Sequence, residues 1–188
     1  MNCLKLFFGL NLAALEVLLL SLKARRCPFC ICAESLNQHS ILYGKHPDRN
    51  CADKRCVRGQ RIYCSNRGQR GGCGRTFPAF LADVFPRFSV TALLLWKLLS
   101  AMTTSGSILA AIHSVRLPFA TETLYHLVDR LRLRLDEVRS RLSQITPAPA
   151  SSQSDPLLQT VEHFKAAFPQ ADCPLQAYQI RFQAALLG

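Results

Sequence analysis

Seven cysteines lie between Cys27 and Cys73 of a chain of 188 residues that has nine in all. An odd total suits a disulfide framework poorly. Thiols clustered in this way, without a convincing secretory signal, point to a metal held in a reducing compartment. Cys27-Pro28-Phe29-Cys30 is a C-x2-C knuckle, whose spacing lets two thiolates reach one tetrahedral ion at about 2.3 Å each. The complementary pair should follow later, and Cys64 and Cys73 in YCSNRGQRGGCGRTF are the best candidates. Eight residues, three of them glycine, separate this second pair, where a repeated knuckle would have two. Cys32, Cys51 and Cys56 lie in the interval and are alternatives: a further pair, ligands to a second ion, or buried thiols. His39 and His46 are substitute ligands or ordinary loop histidines. The expected ion is structural Zn2+, because about fifty polar, glycine-rich residues bury too little apolar surface to fold unaided.

The same segment carries the charge. The chain has a formal net charge of +11, and between Lys23 and Arg87 there are 13 Lys or Arg against 4 Asp or Glu. Such an excess fits a polyanionic partner, nucleic acid or an acidic membrane surface. Lys54, Arg55, Arg58, Arg61, Arg67, Arg70 and Arg75 surround the second cysteine pair, where a rigid ribbon would present guanidinium forks to phosphates. The plain alternative is a solvated surface that keeps a small domain soluble.

Composition and punctuation divide the chain. Hydrophobic residues make up 49% and charged residues 19%, a globular balance. Residues 1–26 read as an apolar helix: Leu6 to Leu22 is short for a membrane span, and Glu16 at a bilayer centre would cost roughly 2 to 3 kcal/mol. Residues 27–78 read as short strands and loops around the metal, and residues 79–145 as a helical region. Residues 146–156, TPAPASSQSDP, read as a linker. Residues 157–188 form a helical tail divided by Pro169 and Pro174. The fold class expected is a small α+β protein. Within 79–145 three helices are expected: about 89–102 with Ser89 as N-cap, about 105–114, and a long one over about 120–145 with Thr121 as N-cap. The last carries Leu124, Leu127, Val128, Leu131, Leu135, Val138 and Leu142 at helical spacing.

RCPFC, SLNQHSILYG and RGQRIYCSNRGQRGGCGRTF, followed by an apolar helix with Trp96 and a GSILAA segment, resemble the zinc-ribbon plus helix-turn-helix proteins of bacterial insertion sequences. These are like the N-terminal DNA-binding parts of transposases. The resemblance covers about residues 25–145, with 58–77 as its most specific block. It implies zinc on Cys27, Cys30, Cys64 and Cys73, recognition of element ends in DNA, and a cytoplasmic, nucleoid-associated protein. The eight-residue gap departs from the commoner pattern and bears on Cys73. In a helix-turn-helix the segment 105–114 would cross the backbone and the start of the next helix would enter the major groove. Thr121, Thr123, Tyr125 and His126 would then be nearest the base edges, together with Glu122, and Arg116 and Arg130 would lie on phosphates. The alternative is a helical bundle whose third helix extends into a homodimer contact. Arg130, Arg132, Arg134, Arg139 and Arg141, mixed with Asp129, Asp136 and Glu137, read as a solvated face with i,i+4 pairs.

A complete transposase needs an acidic cluster for two metal ions. This chain has 12 Asp and Glu, scattered among elements already assigned. It reads as a targeting part, with a separate catalytic subunit as a candidate partner. The competing functions are a zinc-stabilised protein–protein adaptor and a membrane-anchored zinc protein.

Overall fold

The computed structural model describes residues 6–7, 12–46, 54–67 and 71–188. Strand β1 is Leu6–Phe7, β2 Leu36–Lys45, β3 Arg55–Cys64 and β4 Thr76–Phe80. They form one sheet in the order β1-β4-β3-β2. β2, β3 and β4 are antiparallel neighbours, whereas β1 runs parallel to β4 along the edge. β2 and β3 are ten residues each, longer than the short strands expected between 27 and 78. Alternation decides their faces. In β3, Ile62 and Cys64 are buried while Arg61 is exposed. Register is interrupted twice along β2 and β3. His39 has no partner between the pairs Gln38–Ile62 and Ser40–Arg61, and Arg58 has none between Gly59–Leu42 and Val57–Tyr43. Such bulges re-aim a side chain.

Helix α1, Leu12–Leu20, runs into a 3-10 turn at Leu22–Ala24. Leu15, Leu18 and Leu22 cover one face of the sheet, against Leu36, Ile62, Phe77, Ala79, Leu81 and Val84. The apolar run read as one helix from Leu6 therefore begins as strand. Phe7 pairs with Phe80, and the side-chain amide of Gln183 completes it: Phe7 N donates to Gln183 Oε1 at 2.9 Å, and Gln183 Nε2 donates to the Phe7 carbonyl at 2.9 Å. Among the described residues no helix is long and apolar enough to cross a membrane.

A second core is helical. Its elements are α2 (Ala92–Ser105), α3 (Ile108–Val115), α4 (Thr121–Arg132), α5 (Leu135–Leu142), α6 (Pro156–Ala167) and α7 (Pro174–Phe182). Thr91, not Ser89, caps α2 by accepting from Leu94 N at 3.3 Å, and Gly106 ends it in the left-handed region. Ser107 caps α3 by accepting from Ala110 N at 3.1 Å. α4 follows Ala120, whose side chain makes no cap bond, so Thr121 is the first helical residue and not the cap. The expected long helix is two helices, because the backbone tightens at Leu133 and Arg134, where Arg134 N bonds the Leu131 carbonyl at 2.9 Å.

Asp155 caps α6 by accepting from Leu157 N at 2.8 Å. Leu157, Val161, Phe164, Leu175 and Tyr178 join Leu95, Leu98, Leu127, Leu131 and Val138 in one core. The tail thus packs with residues 79–145, and the segment 146–156 passes between them. α7 also ties this unit to the sheet. Gln176 Nε2 donates to Asp83 Oδ1 at 2.8 Å, and the fully buried Gln179 donates to the carbonyls of Ala82 at 2.6 Å and Val84 at 3.1 Å.

Candidate metal centre

Four sulfurs converge at the base of the β2–β3 pair. Cys27, Cys30, Cys64 and Cys73 place their Sγ atoms within 4.8 Å of one another. Cys27 and Cys73 are 3.8 Å apart, and Cys30 and Cys64 are 3.7 Å apart. A tetrahedron of sulfurs at roughly 2.3 Å from a central ion has edges of about 3.8 Å. The spacing fits a tetrahedral metal ion with no disulfide, and all four cysteines are free thiols.

The local backbone explains the convergence. The knuckle turns so that Ile31 N donates to the Cys27 carbonyl at 2.8 Å and Cys27 N to the Cys32 carbonyl at 2.9 Å, with Ile31 and Glu34 in the left-handed region. Cys64 ends β3, directly opposite Leu36 at the start of β2, so strand register delivers it to the knuckle. Cys73 arrives on the loop that re-enters the sheet, held by Cys64 N to the Arg75 carbonyl at 2.9 Å and Gly74 N to the Cys64 carbonyl at 3.0 Å. Gly72 is required there: a Cβ at that position would sit 2.0 Å from the Ser65 carbonyl oxygen and 2.8 Å from Cys64 Sγ.

Donors aimed at sulfur favour thiolate. Phe29 N lies 3.4 Å from Cys27 Sγ, Cys73 N 3.3 Å from Cys64 Sγ, and the buried Ser35 hydroxyl 3.2 Å from Cys64 Sγ. Burial alone would raise the Cys64 thiol, but the Ser35 hydroxyl, the Cys73 amide and the Cys27 and Cys30 thiols together outweigh it and bring the thiol down to about 7. Burial pushes Cys27 up to about 12 despite amide donors at Phe29 and Cys30, and raises Cys73. A bound divalent cation reverses this ordering by drawing all four to thiolate. Around the sulfurs, the Phe29 ring meets Phe77 edge-on at 5.8 Å, and the Arg75 guanidinium lies 5.3 Å from the Phe29 centroid.

Among the described residues, the remaining cysteines and histidines lie outside this cluster. Cys32 Sγ turns to the Ala33 carbonyl at 3.5 Å, and Cys56 Sγ to those of Gly44 and Lys45 at 3.7 and 3.4 Å. Neither belongs to the four-sulfur cluster, nor do His39 and His46. Cys173 is buried in the helical core, its thiol pushed up to about 11 by that burial. Cys51 and Cys3 lie outside the described residues, as does Arg70.

Of the expected phosphate contacts, Lys54, Arg55, Arg61, Arg67 and Arg75 are exposed. Arg58 is not available in the same way. Its bulge turns Nη2 to the carbonyls of Phe85, at 3.0 Å, and Phe88, and burial lowers its pKa. Bonds to main-chain carbonyls occupy that fork, so Arg58 ties the sheet to the loop before α2. On the helices, Arg116, Thr123, His126 and Arg130 are exposed, Thr121 is half-buried, and the half-buried Tyr125 packs against the helical core. The charge pairs are present but the face is only partly solvated: Arg132 pairs with Asp129 at 3.5 Å and Asp155 at 3.1 Å and Glu137 receives both Arg134 and Arg141, whereas Arg134, Arg139 and Arg141 are half-buried.

Sequence reasoning missed Ser35 and Gly72. Ser35 contacts Cys64 only because of the β2–β3 register, which no local pattern announces. The paired glycines before Cys73 were visible, and a close backbone approach is what they signal. Comparison of the chain with family models, curated proteins and solved structures finds no match.

Proposed function

We propose that this chain is a zinc-dependent DNA-binding protein, related to insertion-sequence transposases and acting in recognition of element ends. One observation carries the reading: a four-sulfur cluster of a size that suits one metal ion sits at the root of a strand pair whose exposed side chains include Lys45, Arg55 and Arg61. Zinc is the ion of choice because four thiolates with no open position make a structural site, and a closed shell keeps it redox-inert. The ion would hold the knuckle, β3 and the β4 loop as one stiff base, and the cations beside it would meet the phosphate backbone. α3 and α4 supply the second contact, with Thr123 and His126 on the exposed side of α4 opposite base edges and Arg116 and Arg130 on phosphates.

Six exposed cations lie along this unit, Arg61, Arg67 and Arg75 toward the metal end and Lys45, Lys54 and Arg55 at the far end of the β2–β3 pair. Neutralising six phosphates gives a log–log salt slope of about −5, so affinity should fall about 10³-fold between 50 and 200 mM salt. The test is fluorescence anisotropy on duplexes carrying the terminal sequences that flank the gene and on random duplexes, with zinc-loaded and chelated protein. A steep slope, zinc dependence and preference for the terminal sequences are expected. Binding that is flat in salt and indifferent to zinc would refute the reading. It would favour a protein–protein adaptor, for which Val17 and Leu20, 67% and 86% exposed on α1, are the supporting observation.

A further inference from the structure

We propose that the outer face of the sheet is a site for an unpaired base of single-stranded DNA, where the rings of Tyr63 and His39 meet between the cations Arg61 and Arg67. The proposal rests on the DNA-binding reading but names a separate surface and a separate form of the ligand.

α1 covers one face of the sheet; the other carries a different set of side chains. Direct cross-strand pairing puts Asn37, Tyr63 and Thr76 in one row on that face and Ser40, Arg61 and Pro78 in the next. Asn37, His39, Tyr63, Ser65, Arg67 and Thr76 line a shallow cleft of about 440 Å³ there. No carboxylate lines it, and Arg61 is exposed beside it.

Two features make this more than an ordinary cross-strand pair. His39 is the extra residue of the β2 bulge, so its ring is turned out of the ladder, and it is exposed. Its centroid stands 6.4 Å from that of Tyr63 with the planes inclined at 59°, which makes an open notch. Each ring also makes one local hydrogen bond. Tyr63 Oη donates to Asn66 Oδ1 at 2.8 Å, and His39 Nδ1 is 3.1 Å from Ser40 Oγ. Rings held this way lose little freedom when a ligand stacks on them.

The chemistry selects the occupant. A flat π surface half-set in a sheet, with polar groups at its rim and cations on either side, suits a base face plus its flanking phosphates. A duplex does not fit, because paired bases show only their edges to a protein, whereas a splayed base shows its face. The Lys23 ammonium, which bonds Asn37 Oδ1, adds a further positive charge at the rim.

The test compares an oligothymidine of about 15 nucleotides, a duplex of equal length and an oligouridine, by anisotropy with zinc-loaded protein. The variants are Tyr63→Leu, which keeps an apolar side chain but removes the stacking face, His39→Ser, and Arg55→Ser on the far end of β3. Tyr63→Leu should weaken oligothymidine about 5- to 150-fold, the range expected for loss of one stacked base, with duplex affinity within about twofold of wild type. His39→Ser, at an exposed position, should weaken it at least about fivefold, and it carries the test if Tyr63→Leu fails to fold. Arg55→Ser should weaken the duplex more than the single strand. Unchanged oligothymidine binding in both ring variants would overturn the proposal. So would duplex binding without single-strand binding, which leaves the DNA-binding reading intact, or tighter binding of oligouridine. Failure of both DNA forms to bind removes the two readings together.

Discussion

Replacing Gly72 by alanine adds one methyl group at a crowded point of the metal loop. The new carbon would stand 2.0 Å from the Ser65 carbonyl oxygen and 2.8 Å from Cys64 Sγ, and the first of these is backbone that cannot swing aside. Relief to an ordinary contact of about 3.3 Å requires the loop to move by more than about 1 Å. Cys73 is the next residue. A sulfur displaced by that much from a bond of about 2.3 Å no longer ligates. Structural zinc sites bind with roughly 10–16 kcal/mol shared among their ligands, so one lost thiolate weakens binding by about 10²- to 10³-fold. Gly71→Ala is the matched control. Among the described residues nothing lies within 4 Å of its added carbon, and only the positive φ of 61° is strained, a cost of about 1 kcal/mol that bears on folding and not on the sulfurs. Competition against a chromophoric chelator reads both affinities. Equal zinc affinity for the Gly72→Ala protein and wild type, or equal damage from the two substitutions, would refute the packing argument.

The pH dependence and the interdomain clamp give two further expectations. Without metal, Cys27 keeps its proton until about pH 12 and Cys64 until about pH 7, whereas the bound state requires both as thiolates. Apparent zinc affinity therefore rises with pH, and its log–linear slope should steepen by one proton on going below about pH 7, where Cys64 also has to give up its proton. A slope constant from pH 5.5 to 8.5 in the chelator assay would contradict the role given to Ser35 and the Cys73 amide. Gln179→Leu strands the carbonyls of Ala82 and Val84 and the Leu186 amide, which bonds Gln179 Oε1 at 3.1 Å. Urea denaturation of the zinc-loaded protein should register a loss of roughly 3 kcal/mol, and a loss below about 1 kcal/mol would show those groups finding other partners.

Local chemistry was legible and long-range geometry was not. The knuckle at Cys27 and Cys30 follows from spacing alone, and the pairing with Cys64 and Cys73 from the need for two more ligands after a strand pair. The length of β2 and β3 was hidden because Gly44, Gly59 and the polar run between them look like loop composition, whereas the bulges at His39 and Arg58 keep a strand going. The break in the third helix was invisible for a definite reason. Leu131, Leu135, Val138 and Leu142 keep helical spacing across it, and neither glycine nor proline marks it. Leu133, 85% exposed, sits at the corner that lets α5 meet α6. Arg58 reads as one more cation in a basic run, and only the β4–α2 loop, distant in sequence, reveals its carbonyl partners.

The amide of Gln183 closes on a residue made at the other end of the chain, 176 positions earlier. At a synthesis rate of roughly 5–20 residues per second, Phe7 is made about 9 to 35 s before that partner exists. From the time β4 pairs with β1 until Gln183 arrives, the outer margin of β1 has a bare donor and a bare acceptor, the condition in which an edge strand recruits a wrong neighbour. The residue that ends α7 thus acts as a latch, shutting a seam along β1.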